Sequence, residues 1–250
     1  MYFKDVHIIY FIIIAVLGVV TGKLVDWANY TLPEYKKVFS LEFFKHKASK
    51  STYLMIIANV ILNLIILYRF GIEKTFIENL ELIKYLILTP MLLSVFVIDY
   101  KLQIIPNRLN LTMFEIGLVI AFVYGLSNIA ITIDMLLGML VGGGIFLLIT
   151  VLGGLFYGKE AMGLGDVKLM GALGLYFGVS NIIAVALMSF LIGAILSILL
   201  LVTKIKKTDE YIPFGPFIVI SSFISILVPF DIILKALMTI FTLGLYQKNK

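Results

Sequence analysis

Of the fifteen carboxylates in this 250-residue chain, two stand out at the junctions of long apolar runs with polar or glycine-rich segments. Asp99 ends the run MLLSVFVID and opens YKLQIIPN, and Asp166 closes Gly163-Leu164-Gly165-Asp166 and opens VKLMGALG. A carboxylate in or against an apolar phase costs a few kcal/mol and is a functional candidate for that reason. Two such groups brought together could share a proton, one activating water while the other protonates a carbonyl or leaving group. Gly163 and Gly165 suit that chemistry. Lacking side chains, they let an extended peptide lie close to the Asp166 carboxylate. The plain alternatives are structural. Asp99 can be an interfacial residue ending a helix before Pro106. Asp166 can be the N-cap of the following helix, and Lys168 an ordinary orienting charge. Other catalytic chemistry has little to work with. There is no cysteine, and no serine sits in a G-x-S-x-G elbow. The two histidines, His7 and His46, are far apart, so no histidine-based metal site is expected.

The elements that must carry these groups are apolar. Residues AVILMFWYC make up 61% of the chain, charged residues 14%, and the mean hydropathy is +1.08. Soluble domains average about 45–50% apolar and about 25% charged, so a soluble globular protein, a disordered chain and a basic nucleic-acid-binding domain are excluded. Apolar runs cover residues 8–21, 53–70, 80–98, 110–131, 134–156, 167–178, 181–203 and 212–230, with a shorter one at 232–246. They are continuous rather than alternating, which predicts helices and not membrane strands. The expected fold is all-α: a polytopic membrane protein with eight transmembrane helices, or nine if 232–246 spans rather than lying in the interface. The first run has no small-residue cleavage site after it and reads as an uncleaved span. Gly138, Gly142, Gly143 and Gly144 suit close helix packing.

Basic residues order the loops. Loops 28–51, 99–109, 157–168 and 203–211 together hold twelve Lys/Arg, whereas the N-terminus and loops 71–79, 132–134 and 179–181 hold Lys4 and Lys74, with Arg69 at the margin. The positive-inside rule then places the first set in the cytoplasm and the N-terminus outside. Both aspartates fall on the cytoplasmic side in that arrangement. The net charge of +5 reflects this loop asymmetry before it reflects any partner. Loop 28–51 is too short to bury a core of its own.

At these residues the sequence resembles the type IV prepilin peptidases, a family of membrane-embedded aspartic proteases. Three segments carry the likeness. Ile98-Asp99 with Ile105-Pro106-Asn107 matches an aspartate followed by a hydrophobic-Pro-Asp turn, with Asn107 in place of the usual second aspartate. Met162 to Leu169 is a near-complete form of the G-x-G-D signature, including Gly163, Gly165, Asp166 and Lys168. Pro213-Phe214-Gly215-Pro216 resembles a C-terminal segment of the family, with a substrate or structural role. More faintly, Gly22, Tyr30, Leu32 and Pro33 match the family's N-terminal pattern, while Lys23, Asp26 and Thr31 depart from it.

The resemblance implies Asp99 and Asp166 as the catalytic pair, with Gly163, Gly165, Lys168, Pro106 and Asn107 in support. It divides the chain into a reduced N-terminal region, 1–78, and a peptidase domain, 79–250. It implies prepilin or pseudopilin substrates, each with a short basic leader and an apolar helix, cut after a Gly at the cytoplasmic face of a prokaryotic inner membrane. Glu34, Glu42 and Glu160 could attract that leader or be plain solvated charges. Two-function members carry paired C-x-x-C motifs for zinc and methylate the new terminus with S-adenosylmethionine. Without cysteines no zinc is expected, the peptidase needs no cofactor, and S-adenosylmethionine enters only if methylation is retained. Three rivals remain: a G-x-G-D protease of the presenilin kind, an inactive homologue, and a transporter using Asp99 and Asp166 for cation or proton binding.

Overall fold

The computed structural model describes residues 2–3, 6–34, 36, 42–45, 47–157, 162–203 and 212–242. A two-residue hairpin, β1 (Tyr2–Phe3) against β2 (Val6–His7), precedes nine helices among the described residues. The chain divides into two compact units, Met1–Ile133 and Asp134–Lys250. The expected division at 78/79 concerned motifs and falls inside the first unit.

In the first unit α1 (Ile8–Thr31) packs along α3 (Lys50–Phe70). The apolar run suggested an end near Thr21, but the helix continues ten residues further. Gly22, Val25, Asp26, Ala28 and Thr31 keep a buried face at helical spacing, although Lys23 and Asp26 lower the local hydropathy. Glycine permits the contact: an added Cβ at Gly18 would lie 3.0 Å from Val60 Cα, and one at Gly22 would lie 2.6 Å from Ile56 Cα. Polar bonds fix the register. Asn59 Nδ2 donates to Gly18 O (2.9 Å) and Thr21 Oγ1 (2.6 Å), and Thr52 Oγ1 donates to Asp26 Oδ2 (2.7 Å). Small residues and interhelical hydrogen bonds are what join helices where lipid removes the hydrophobic drive. Between them lies the one-turn α2 (Glu42–Lys45), and α3 starts on a reciprocal Ser49–Thr52 capping box.

α4 (Leu80–Leu102) contains Pro90 and stops at Gln103, the one non-glycine residue with positive φ (57°) among the described residues. α5 (Asn107–Gly125) follows Pro106. The turn to α6 (Ile129–Tyr157) was expected at 132–134 and instead occupies 126–128. Asn128 Oδ1 accepts the Ala130 N–H (3.0 Å) there, so a polar capping residue sets the boundary that hydropathy blurred.

In the second unit α6 faces α7 (Leu164–Val202), a helix of 39 residues. At about 1.5 Å per residue that is roughly 58 Å, about twice a hydrocarbon core. It is interrupted at Gly178 (φ 69°, ψ −178°), where the sequence reading separated runs 167–178 and 181–203. The chain turns back here. An added Cβ at Gly142 would lie 2.5 Å from Met170 O and 2.8 Å from Ile182 Cγ1, so atoms twelve residues apart share one neighbour. Asp134 Oδ1 accepts the Val179 N–H (3.2 Å) and caps the second half. Gly138 and Gly174 meet backbone to backbone. α8 (Gly215–Leu227) and the 12-residue α9 (Phe230–Phe241) complete the unit, with Ile233 and Leu237 of α9 packed against Ala184 and Met188. Among the described residues six helices, α1 and α3 to α7, are long and apolar enough to cross a membrane.

Candidate active site

Asp99 sits in the last turn of α4 and is only 4% exposed. Its carbonyl accepts the Gln103 N–H (2.9 Å), which closes the helix and turns the chain towards Pro106. Pro106 is the N-cap of α5, and its carbonyl accepts the N–H groups of Leu109 (3.0 Å) and Asn110 (3.2 Å). Asn107 is the first residue of that helix and is exposed. Asp99, Pro106 and Asn107 therefore share one helix–turn–helix in the first unit. Asn110, one turn beyond Asn107, is buried.

Asp166 lies in the second unit and is also 4% exposed. It is not the N-cap. Gly163 is, in extended conformation and without a side chain to cap, and Asp166 is the third helical residue. The Asp166 N–H donates to Gly163 O (3.0 Å), and an added Cβ on Gly163 would lie 3.6 Å from Asp166 Oδ2. The carboxylate thus folds back over the helix start, where backbone N–H groups lack acceptors within the helix. Gly165 occupies the second helical position, and Lys168 is exposed on the next turn.

Pro213-Phe214-Gly215-Pro216 is the start of α8, with Phe214 as N-cap and Pro216 in the first turn, where a missing N–H costs nothing. The Phe214 ring stacks into an aromatic cluster, with centroids 5.2 Å from Phe190, 6.0 Å from Phe146 and 5.8 Å edge-on from Phe217. Gly193 of α7 makes room: an added Cβ would come within 2.9 Å of Phe217 and 3.2 Å of Phe214. The geometry gives this segment an anchoring role.

Of the loop acids, Glu34 pairs with Lys36 (2.5 Å). Hydrogen bonds that the Lys36 ammonium donates to Glu34 and Tyr30 raise its pKa above the usual lysine value, so the Glu34 charge is partly answered within the chain. Glu42 opens α2 and is exposed; Glu160 lies outside the described residues. Asp26, which departs from the N-terminal pattern in the sequence, is a buried carboxylate bonded to Thr52. Its signal was the four-residue spacing Gly18, Gly22, Asp26 on one helix face. Among the described residues no three of His, Cys, Asp or Glu gather to hold a metal ion, and without cysteine the thiolate zinc set of two-function members has no counterpart.

Residues 86–198, which include Asp99 and Asp166, match the model of the type IV leader peptidase family. This segment, just under half of the chain, is similar to the type IV leader peptidase family. The prepilin leader peptidase/N-methyltransferase of Aeromonas hydrophila is 32% identical over 142 residues, 57% of this chain and 48% of the relative. That of Legionella pneumophila is 32% identical over 150 residues (59% and 50%), and that of Pseudomonas aeruginosa 37% over 142 residues (57% and 48%). The chain spans about half the length of the curated relatives it matches. No solved structure matches it. The leader peptidase segment begins in α4 and ends in α7, before Pro213–Pro216.

Proposed function

We propose that the protein is a prepilin leader peptidase, an aspartic endopeptidase that removes the short basic leader of type IV prepilins or pseudopilins after a Gly at the cytoplasmic membrane face. One observation carries this reading: the leader peptidase segment contains two aspartates that are each buried at a helix terminus and followed or preceded by the family's turn residues. In the proposed mechanism Asp99 and Asp166 act as one unit. One carboxylate takes a proton from water as it attacks the scissile carbonyl, while the other gives its proton to the carbonyl oxygen; as the tetrahedral intermediate collapses and the C–N bond breaks, the first passes its proton to the leaving amine and the second takes one back from the hydroxyl. Gly163 and Gly165 leave space beside Asp166 for an extended substrate backbone. The transporter alternative draws no support from the leader peptidase match.

The membrane arrangement belongs to the same reading. The protein would sit in the inner membrane of a prokaryote, with its N-terminus outside and the loops flanking Asp99 and Asp166 in the cytoplasm. The Gly178 break lets α7 supply two crossings, which with α1 and α3 to α6 makes seven; α8, whose 13 residues reach about 20 Å, makes an eighth only where the bilayer thins around it. The 12 described residues of α9 reach about 18 Å, short of the roughly 30 Å hydrocarbon core, which supports an interfacial position for them. The reading takes no zinc and an unmethylated product.

The test is gel-shift cleavage of a co-expressed prepilin. Asp99→Asn and Asp166→Asn keep side-chain size and remove the acid–base chemistry, which typically contributes about 10²–10⁴-fold. Each should reduce cleavage to near background, and the double variant should resemble either single one, because members of a catalytic unit are non-additive. Substantial cleavage by a well-expressed Asp166→Asn protein would end the two-aspartate mechanism.

A further inference from the structure

The first unit contains an apolar cavity of about 580 Å³ between α1, α4 and α5. Its walls repeat at helical spacing. On α1 the lining residues Leu17, Thr21, Leu24 and Ala28 recur every three or four positions, and on α4 Ile83, Ile87, Pro90 and Ser94 do the same. Parallel stripes of this kind are the surface into which another helix packs its own i, i+3, i+4, i+7 ridge. The hydroxyls on the walls are turned to their own helices. Thr21 Oγ1 donates to Leu17 O (2.8 Å) and Thr112 Oγ1 to Arg108 O (2.9 Å), so at these two positions the guest meets a methyl group.

Length decides between a helix and a lipid chain. Along α1 and its C-cap the lining runs from Ile14 to Leu32, 18 positions apart, or about 27 Å, and along α4 from Ile83 to Ser94, or about 17 Å, at 1.5 Å per residue. The α1 wall is close to the full hydrocarbon core of about 30 Å, whereas one acyl chain fills one leaflet, about half of it. The cavity also ends near the candidate site. Ser94 lines it, and Asp99 stands five residues further along α4, about 7.5 Å along the axis.

We propose that this cavity is the seat of the substrate's apolar helix, holding it between α1, α4 and α5 with its N-terminal end beside Asp99. The inference rests on the leader peptidase reading above. It explains how a peptide bond at the start of a membrane helix is delivered to a carboxylate at a helix end: the helix is gripped over its length, and the leader stays in water.

The test places a photo-reactive benzoylphenylalanine at Ile87 or Met91, both in the lining, and at Val119 or Phe122 on the exposed face of α5. The Asp166→Asn background keeps a co-expressed prepilin uncut. Prepilin adducts should form at least tenfold more from 87 and 91 than from 119 and 122, and should vanish for a prepilin whose apolar helix is replaced by a polar linker. Adducts to lipid alone, adducts to a second copy of the chain, or equal capture from the outer face would each overturn the proposal. As a second variant, Ile87→Trp fills the cavity and should raise KM for prepilin about tenfold with kcat within twofold; an unchanged KM overturns it. Wild-type cleavage keeps the two readings apart. If the wild-type protein cuts no prepilin, the leader peptidase reading fails; if it cuts but the lining captures no prepilin, the cavity proposal alone fails.

Discussion

Gly178→Ala should be among the most damaging single-methyl changes available in the second unit. The backbone at Gly178 has φ 69° and ψ −178°, a region that only glycine enters freely. Holding alanine there costs about 1–3 kcal/mol. The added methyl would also run into the Asp134 carboxylate, which accepts the Val179 N–H at 3.2 Å. Moving that carboxylate loses a charge-assisted bond worth about 1.5–3 kcal/mol. The combined destabilisation is about 2.5–6 kcal/mol, and for chains of this length each kcal/mol lowers Tm by about 2–4 °C. Circular-dichroism melting of purified protein in detergent should therefore show a fall of roughly 5–24 °C. Asp134→Asn keeps an acceptor for Val179 and should be much milder than Asp134→Ala. The consequence reaches the chemistry, because the first half of α7 begins with Asp166. A chain that no longer breaks at 178 cannot keep both halves against Gly142, so prepilin cleavage should fall with stability. A Gly178→Ala protein melting within 2 °C of wild type would refute the helix break as described, and with it the two crossings assigned to α7.

Four further outcomes are expected. Thr52→Val removes the hydroxyl that bonds the buried Asp26 and should cost about 2–3 kcal/mol, whereas Thr52→Val with Asp26→Leu, which removes both partners, should recover at least half of the loss in the same melting assay. Phe214→Ala opens the cluster of Phe146, Phe190 and Phe217 and should cost about 2–4 kcal/mol, with Phe214→Leu recovering most of it; an unchanged Tm would remove the anchoring role. Prepilin cleavage should survive chelators, and mass spectrometry of the mature pilin should find no added methyl group when this is the sole processing enzyme. Reporter fusions in loops 28–51 or 203–211 should be cytoplasmic and fusions near Asn128 exported, whereas a periplasmic label at Lys47 would reverse the orientation.

Much of this protein is written in local chemistry. A run of apolar residues must form helix in lipid because backbone groups find no other partners there, so the all-helical class was legible without coordinates. Asp99 and Asp166 were legible for a related reason: a carboxylate beside such a run is costly, and two with adjoining Pro-Asn or Gly-x-Gly residues narrow the chemistry. Gly138 and Gly142 were readable as packing glycines, although not their partners Gly174 and Met170. Other features depend on what lies opposite. Hydropathy ends α1 near Thr21 because Lys23 and Asp26 look like loop residues; the Thr52 hydroxyl, 26 positions away, helps make Asp26 tolerable inside a helix pair. The break at Gly178 required Asp134, 45 positions away, to cap what the break exposes. Asp166 as a first-turn residue rather than a cap is a matter of one backbone conformation at Gly163. Phe214 became an anchor only through Phe146, Phe190 and Gly193. Burial of an apolar run is a property of the segment itself, whereas a buried polar group or a strained turn persists only when a distant partner satisfies it, and that partner is supplied by the tertiary fold.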